Sequence, residues 1–147
     1  MCRLRLFLFF LLLGGNWAHA LDYRSVSVPV AILYDAPSTQ GEKLYLVREG
    51  TPLEVVVPPL ESWIKVRDAE GTIAWIERGA LTLRRTAIVI SNQAEVRSSA
   101  NDDAPIAFTA EKGVVLDLLE DSPPGWARVR HRDGVGGFVR LGKVWGL

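Results

Sequence analysis

Trp63-Ile64-Lys65-Val66-Arg67 returns 63 residues later as Trp126-Ala127-Arg128-Val129-Arg130. Read with a period of two, the first stretch puts Ile64 and Val66 on one face and Trp63, Lys65 and Arg67 on the other. The second obeys the same rule, with Ala127 and Val129 inward and Trp126, Arg128 and Arg130 outward. Such alternation marks a half-buried strand. The same offset relates Gly50 to Gly113, Leu53 to Leu116, Gly71 to Gly134, Ala31 to Ala94 and Gly79 to Gly142. The matches fall on residue types that set turns and fill cores. One supersecondary unit is therefore built twice, without a gap.

The rest of each copy is also strand-like. Val26, Val28 and Val30 alternate with Ser25, Ser27 and Pro29, and Thr86-Ala87-Ile88-Val89-Ile90 opens the second copy. Leu53-Glu54-Val55-Val56-Val57 and Leu116-Asp117-Leu118-Leu119 each follow a glycine turn. Between the runs stand Pro37-Ser38, Pro58-Pro59, Glu70-Gly71, Asn101-Asp102-Asp103, Pro123-Pro124-Gly125 and Asp133-Gly134. Short strands with turn chemistry between them predict an all-β fold, and two tandem small β-barrels fit the repeat. No stretch carries a 3.6-residue apolar stripe over three turns. The spacing assigns a first domain to 21–82 and a second to 86–147. The link Thr82-Leu83-Arg84-Arg85 contains no Gly or Ser, so it predicts a semi-rigid two-lobe particle.

Met1 to Ala20 reads as a secretory signal peptide: Arg3 and Arg5, then the apolar run Leu6 to Leu13, then Ala18-His19-Ala20. The run is much shorter than the roughly 20 residues of a spanning helix, so no stable membrane insertion is expected after cleavage. The expected compartment is periplasmic or extracellular. Removal of the leader takes away the only Cys, Cys2, and leaves His131 as the only His. No thiol nucleophile and no His/Cys metal set then remain, and no cofactor or metal is expected. The whole chain has a formal charge of zero, and the loss of Arg3 and Arg5 brings the remainder to about −2. Such a balance gives no field to attract nucleic acid.

Several segments resemble the bacterial SH3-like (SH3b) family. In copy one these are Ala31-Ile32-Leu33-Tyr34-Asp35, Glu49-Gly50-Thr51-Pro52-Leu53, Trp63-Ile64-Lys65-Val66-Arg67 and Gly71-Thr72-Ile73-Ala74-Trp75-Ile76. Copy two offers Val96-Arg97-Ser98-Ser99, Lys112-Gly113, the Trp126 strand and Gly134-Val135-Gly136-Gly137-Phe138-Val139. Ala74 departs from the family's second hairpin glycine. The resemblance implies a tandem SH3-like protein that binds rather than catalyses. It implies ligand contact at Trp63 and Trp126, with cell-wall peptide or an envelope protein as the partner.

On that basis the candidate ligand-binding residues are Tyr34, Trp63, Lys65 and Arg67 in copy one, and Arg97, Trp126, Arg128 and Arg130 in copy two. An outward indole beside cations suits a ligand that is partly apolar and partly acidic. Tyr34 is expected across from Trp63. Its counterpart is Arg97, so the two grooves should differ in chemistry. Trp75 and Phe138 are expected to pack, and Trp145 to dock the C-terminal tail. Gly134-Val135-Gly136-Gly137 lacks the following helix of a phosphate-cradling loop. Asp102-Asp103 and Glu120-Asp121 lack the ligand ladder of a calcium loop. His131 with scattered Ser and Asp makes no triad. The competing class is a structural or accessory subunit whose aromatic faces are permanently covered; a cell-wall hydrolase is the class the residues argue against. The exported protein should begin at Leu21. Intact-mass measurement checks this, and a mass retaining Met1 to Ala20 would refute the cleavage.

Overall fold

The computed structural model describes residues 20–147. The leader, including Cys2, lies outside the described residues apart from Ala20. Among the described residues, no helix is long and apolar enough to cross a membrane.

The first lobe strings together β1 (Tyr23–Val26), β2 (Val30–Tyr34), β3 (Lys43–Arg48), β4 (Pro52–Val55), β5 (Trp63–Arg67), β6 (Ile73–Glu77) and β7 (Leu81–Thr82). A single 3-10 turn, Arg78–Ala80, separates β6 from β7. The second lobe repeats the list as β8 (Thr86–Val89), β9 (Gln93–Arg97), β10 (Ile106–Glu111), β11 (Val115–Leu118), β12 (Trp126–Arg130), β13 (Gly136–Arg140) and β14 (Val144–Trp145). Every element stands 63 residues after its twin, the 3-10 turn Leu141–Lys143 included. Each lobe is one seven-stranded sheet, ordered β3-β2-β6-β5-β4-β1-β7 and β10-β9-β13-β12-β11-β8-β14.

The turns carry the repeat because their backbones demand it. Gly50 and Gly113 end the β3–β4 and β10–β11 turns at φ +83° and +87°. Gly71 and Gly134 close the hairpins after β5 and β12 at φ +90° and +96°. Side chains with a Cβ rarely adopt these angles, so glycine recurs at the same steps. The first of these hairpins is tied down further. Asp68 accepts the amides of Glu70 (2.9 Å) and Thr72 (2.8 Å) and the Tyr45 hydroxyl. Burial, helped by the hydrogen bond to Asp68, pushes the Tyr45 phenol up to about 12.

The cores match position by position. Val26, Leu33, Val47, Leu53, Ile64, Val66 and Ile76 are buried in lobe one, and Val89, Val96, Ala110, Leu116, Ala127, Val129 and Val139 in lobe two. Lobe two is built of smaller side chains at several of these sites. At its hairpin, Gly137 takes the place of Ala74. A Cβ on Gly137 would collide with the Arg97 carbonyl oxygen and stand 2.8 Å from Val96 Cγ1. The smaller core thus lets β13 press directly on β9.

The lobes meet over a short, pinned link. Ser25 Oγ donates to the Arg84 carbonyl at 2.8 Å, and Thr86 Oγ1 to the Gly50 carbonyl at 2.7 Å. The Tyr23 and Trp145 rings meet edge to face at 5.0 Å, and the Arg85 guanidinium lies 5.4 Å from the Tyr23 centroid. Trp145 therefore anchors the tail against the other lobe, a longer reach than docking on its own.

Gly137→Ala should destabilise lobe two by about 2 kcal/mol, because overpacking against backbone leaves nothing flexible to give. Ile64→Ala should cost lobe one about 2–4 kcal/mol for lost methyls plus a cavity. Chemical denaturation measures both. An unchanged midpoint for either would mean that the strand is placed wrongly.

Candidate functional site

The alternation on β5 and β12 holds for the inward residues. Ile64, Val66 and Val129 are fully buried and Ala127 nearly so. The outward residues divide into groups the sequence had treated alike.

Trp63 is half-buried at the start of β5. Its ring meets Tyr34 edge to face, with centroids 5.4 Å apart, as expected from their positions. Tyr34 ends β2 and also stands opposite Trp75 of β6. Beside this pair opens a cleft of about 460 Å³ between β2 and the 3-10 turn, lined by Val28, Val30, Ile32, Tyr34, Glu77 and Ala80 among others.

Lobe two has a cleft of about 430 Å³ lined by Gln93, Glu95, Arg97, Asp102, Trp126, Arg140 and Lys143. Subtracting 63 converts Gln93, Glu95, Arg97, Arg140 and Lys143 into Val30, Ile32, Tyr34, Glu77 and Ala80, all in the first cleft. The two clefts are therefore one site of the repeat, apolar in one lobe and charged in the other.

Trp126 corrects an expectation. It lies on the outer row of β12 but is only 6% exposed. The Arg140 guanidinium covers it, 4.2 Å from the ring centroid, in good cation–π geometry. Arg140 is held there by a two-pronged ion pair with Asp102, its Nε donating to Oδ1 at 3.1 Å. Hydrogen bonding from Arg140 drives the Asp102 carboxyl below its ordinary value, against a small desolvation effect and with help from the charges of Arg140 and Arg97. The same bond raises the Arg140 guanidinium. Arg97, the counterpart of Tyr34, donates to the Ala104 carbonyl at 2.7 Å and pairs with Glu95. It holds the long loop that carries Asp102.

The other predicted cations lie outside both clefts. Arg67 bonds Glu54 across β4–β5 at 3.1 Å, and its twin Arg130 pairs with Asp117 at 3.6 Å. Lys65 sits opposite Trp75, with Nζ 5.6 Å from the ring, and Arg128 sits opposite Phe138. These four stabilise the sheet face through neighbours on adjacent strands. Sequence reasoning counted them as groove groups because alternation says which face a residue takes and not how far along it the cleft lies. It missed Glu77, Arg140, Lys143 and Asp102. The 63-residue offset, applied to the residues flanking the 3-10 turn, would have flagged the first three.

The architecture is that of a tandem of small SH3-like barrels, each with a cleft beside its first long loop. The bacterial SH3 domain family matches residues 27–82 and again 91–146. The chain belongs to that family. No curated protein matches it in sequence. Among solved structures it is similar to NlpC2 from Trichomonas vaginalis, with 13% identity and a TM-score of 0.39 over 86% of this chain and 48% of that one. A NlpC/P60 family protein from Bacillus cereus ATCC 10987 gives 14% identity and a TM-score of 0.38 over 84% of this chain and 55% of the other. The chain spans about half the length of each.

Asp102→Asn should release Arg140 and expose Trp126, seen as greater acrylamide quenching of its fluorescence. Because the folded pKa of Asp102 is depressed, the clasp should hold down to the ordinary carboxylate range near 3.8 and open as pH falls below it. Quenching that is equal in wild type and variant would show that the ion pair does not cover the indole.

Proposed function

We propose that the protein is a non-catalytic, exported binding module of the cell envelope. On this reading its clefts hold an extended peptide, either a cell-wall stem peptide or a segment of an envelope protein. The observation that carries it is the recurrence of a cleft at one place on both lobes, beside an aromatic pair in the first and a capped indole in the second. A core does not need a cleft, and concave sites with a few converging polar groups are where ligands sit. In lobe one the ligand rests on Tyr34 and Trp63. In lobe two a ligand carboxylate takes the place of Asp102 on Arg140, with Arg97 and Lys143 beside it. The family is one of binding domains, and the leader-like start fits an exported chain.

The burial of Trp126 favours a second reading, in which the protein is an accessory subunit and its aromatic faces are structural. The two separate in one experiment: retention of the purified protein on cell-wall sacculi, with soluble muropeptides as competitors, measured beside thermal melts. Trp63→Ala should weaken retention by roughly 2 kcal/mol, as loss of an aromatic anchor does, without unfolding. Trp126→Ala should weaken it less, since its indole is reached only after Arg140 moves. If both variants bind as wild type, the clefts are not the ligand site. If both unfold, the accessory reading stands.

A further inference from the structure

The side of β2 and β3 turned away from the core is apolar in lobe one only. Val30 is 53% exposed, Leu44 38% and Leu46 64%, with Ile32 half-buried between them and directly opposite Leu46. The twin positions on β9 and β10 are Gln93, Ala107, Thr109 and Glu95, all exposed. Lobe two thus demonstrates that the fold does not need aliphatic residues here. A duplicated barrel that keeps them on one copy alone, in the open, retains them for something outside the barrel.

The same side of β2 forms a wall of the lobe-one cleft through Val30, Ile32 and Tyr34. Residues two apart on one strand stand roughly 7 Å apart, which is also the repeat of alternate side chains in an extended peptide. Glu77 is the single charged residue among those lining this cleft. It is exposed and forms no ion pair among the described residues. Its twin is Arg140, engaged with Asp102. An unpaired carboxylate at the end of an aliphatic strip selects a cation as its neighbour.

Resting on the binding-module reading, we infer that lobe one docks an extended peptide whose alternate aliphatic residues lie along Val30, Ile32 and Leu46. A Lys or Arg of that peptide meets Glu77. Lobe two lacks both features and does not take this ligand. The tandem is therefore a pair of different receptors, not two copies of one.

Lobe two supplies the test, since its own residues are known to suit the fold. The purified protein is panned against a random heptapeptide phage library, and the selected peptides are measured by fluorescence polarisation. Enrichment of sequences with alternating aliphatic residues and one Lys or Arg is expected. The combined change Val30→Gln, Ile32→Glu and Leu46→Thr should weaken a selected peptide by about tenfold or more with little change in melting temperature. Glu77→Arg alone should do the same and should shift selection toward acidic peptides. Should the triple variant melt early, Ile32→Glu and Glu77→Arg carry the test singly.

Selection of acidic peptides by wild type, no selection at all, or binding indifferent to Glu77→Arg would overturn the assignment. Concentration-dependent dimerisation that the triple variant abolishes would also overturn it, giving the face to a second copy. Sacculus retention that persists while no basic apolar peptide is selected would retire this ligand class alone. Loss of retention by neither cleft variant retires the binding-module reading instead.

Discussion

Everything in each lobe hangs on the phase of its central strand. β5 lies between β4 and β6, and β12 between β11 and β13. A slip of one residue would turn Ile64 and Val66 to solvent and bring Trp63, Lys65 and Arg67 into the core. The phase is held from both sides by cross-strand partners: Glu54 on Arg67, Asp117 on Arg130, Trp75 opposite Lys65. Once it is set, Trp63 and Trp126 start their strands on the outer row, and the two 3-10 turns deliver Glu77 and Arg140 beside them. Cleft geometry follows from core geometry.

The joint between the lobes is the second constraint. Arg85 donates to the Gly146 carbonyl at 2.9 Å, and the Leu118 amide returns to the Arg85 carbonyl at 3.1 Å. Together with Tyr23 against Trp145 and Thr86 on Gly50, these contacts use both faces of a four-residue link. Few torsions are left free there, so reorientation of the lobes requires breaking hydrogen bonds as well as parting two aromatic rings. The stiffness expected from a link without Gly or Ser has this concrete origin.

The fold was legible because its signals are local and doubled. Gly50 and Gly113 announce the same backbone, and Val66 and Val129 the same interior. The site was legible only in part. Trp63 and Tyr34 could be paired from strand positions alone. Arg140 over Trp126 could not, because the contact depends on Asp102, which belongs to a loop and has no twin of its kind: Thr39 stands at its place in lobe one. Strand periodicity is blind to which loop residue folds back over a strand. It is equally blind to distance along a face, which is why Arg67, Arg128 and Arg130 were counted with a cleft they do not reach.

A duplication separates what the barrel requires from what it merely carries. Positions under core or turn constraint remain alike, as Leu53 and Leu116 do, or shrink within one chemical class, as Ile64 and Ala127 do. The cleft positions change class altogether: Val30 against Gln93, Ile32 against Glu95, Tyr34 against Arg97, Glu77 against Arg140. Both versions fold, so stability does not distinguish them. An exposed aliphatic strip also has a standing cost, since it invites unwanted association, and the polar twin shows that cost was avoidable. The lobe-one cleft is thus the part of the molecule least explained by folding and most in need of a partner.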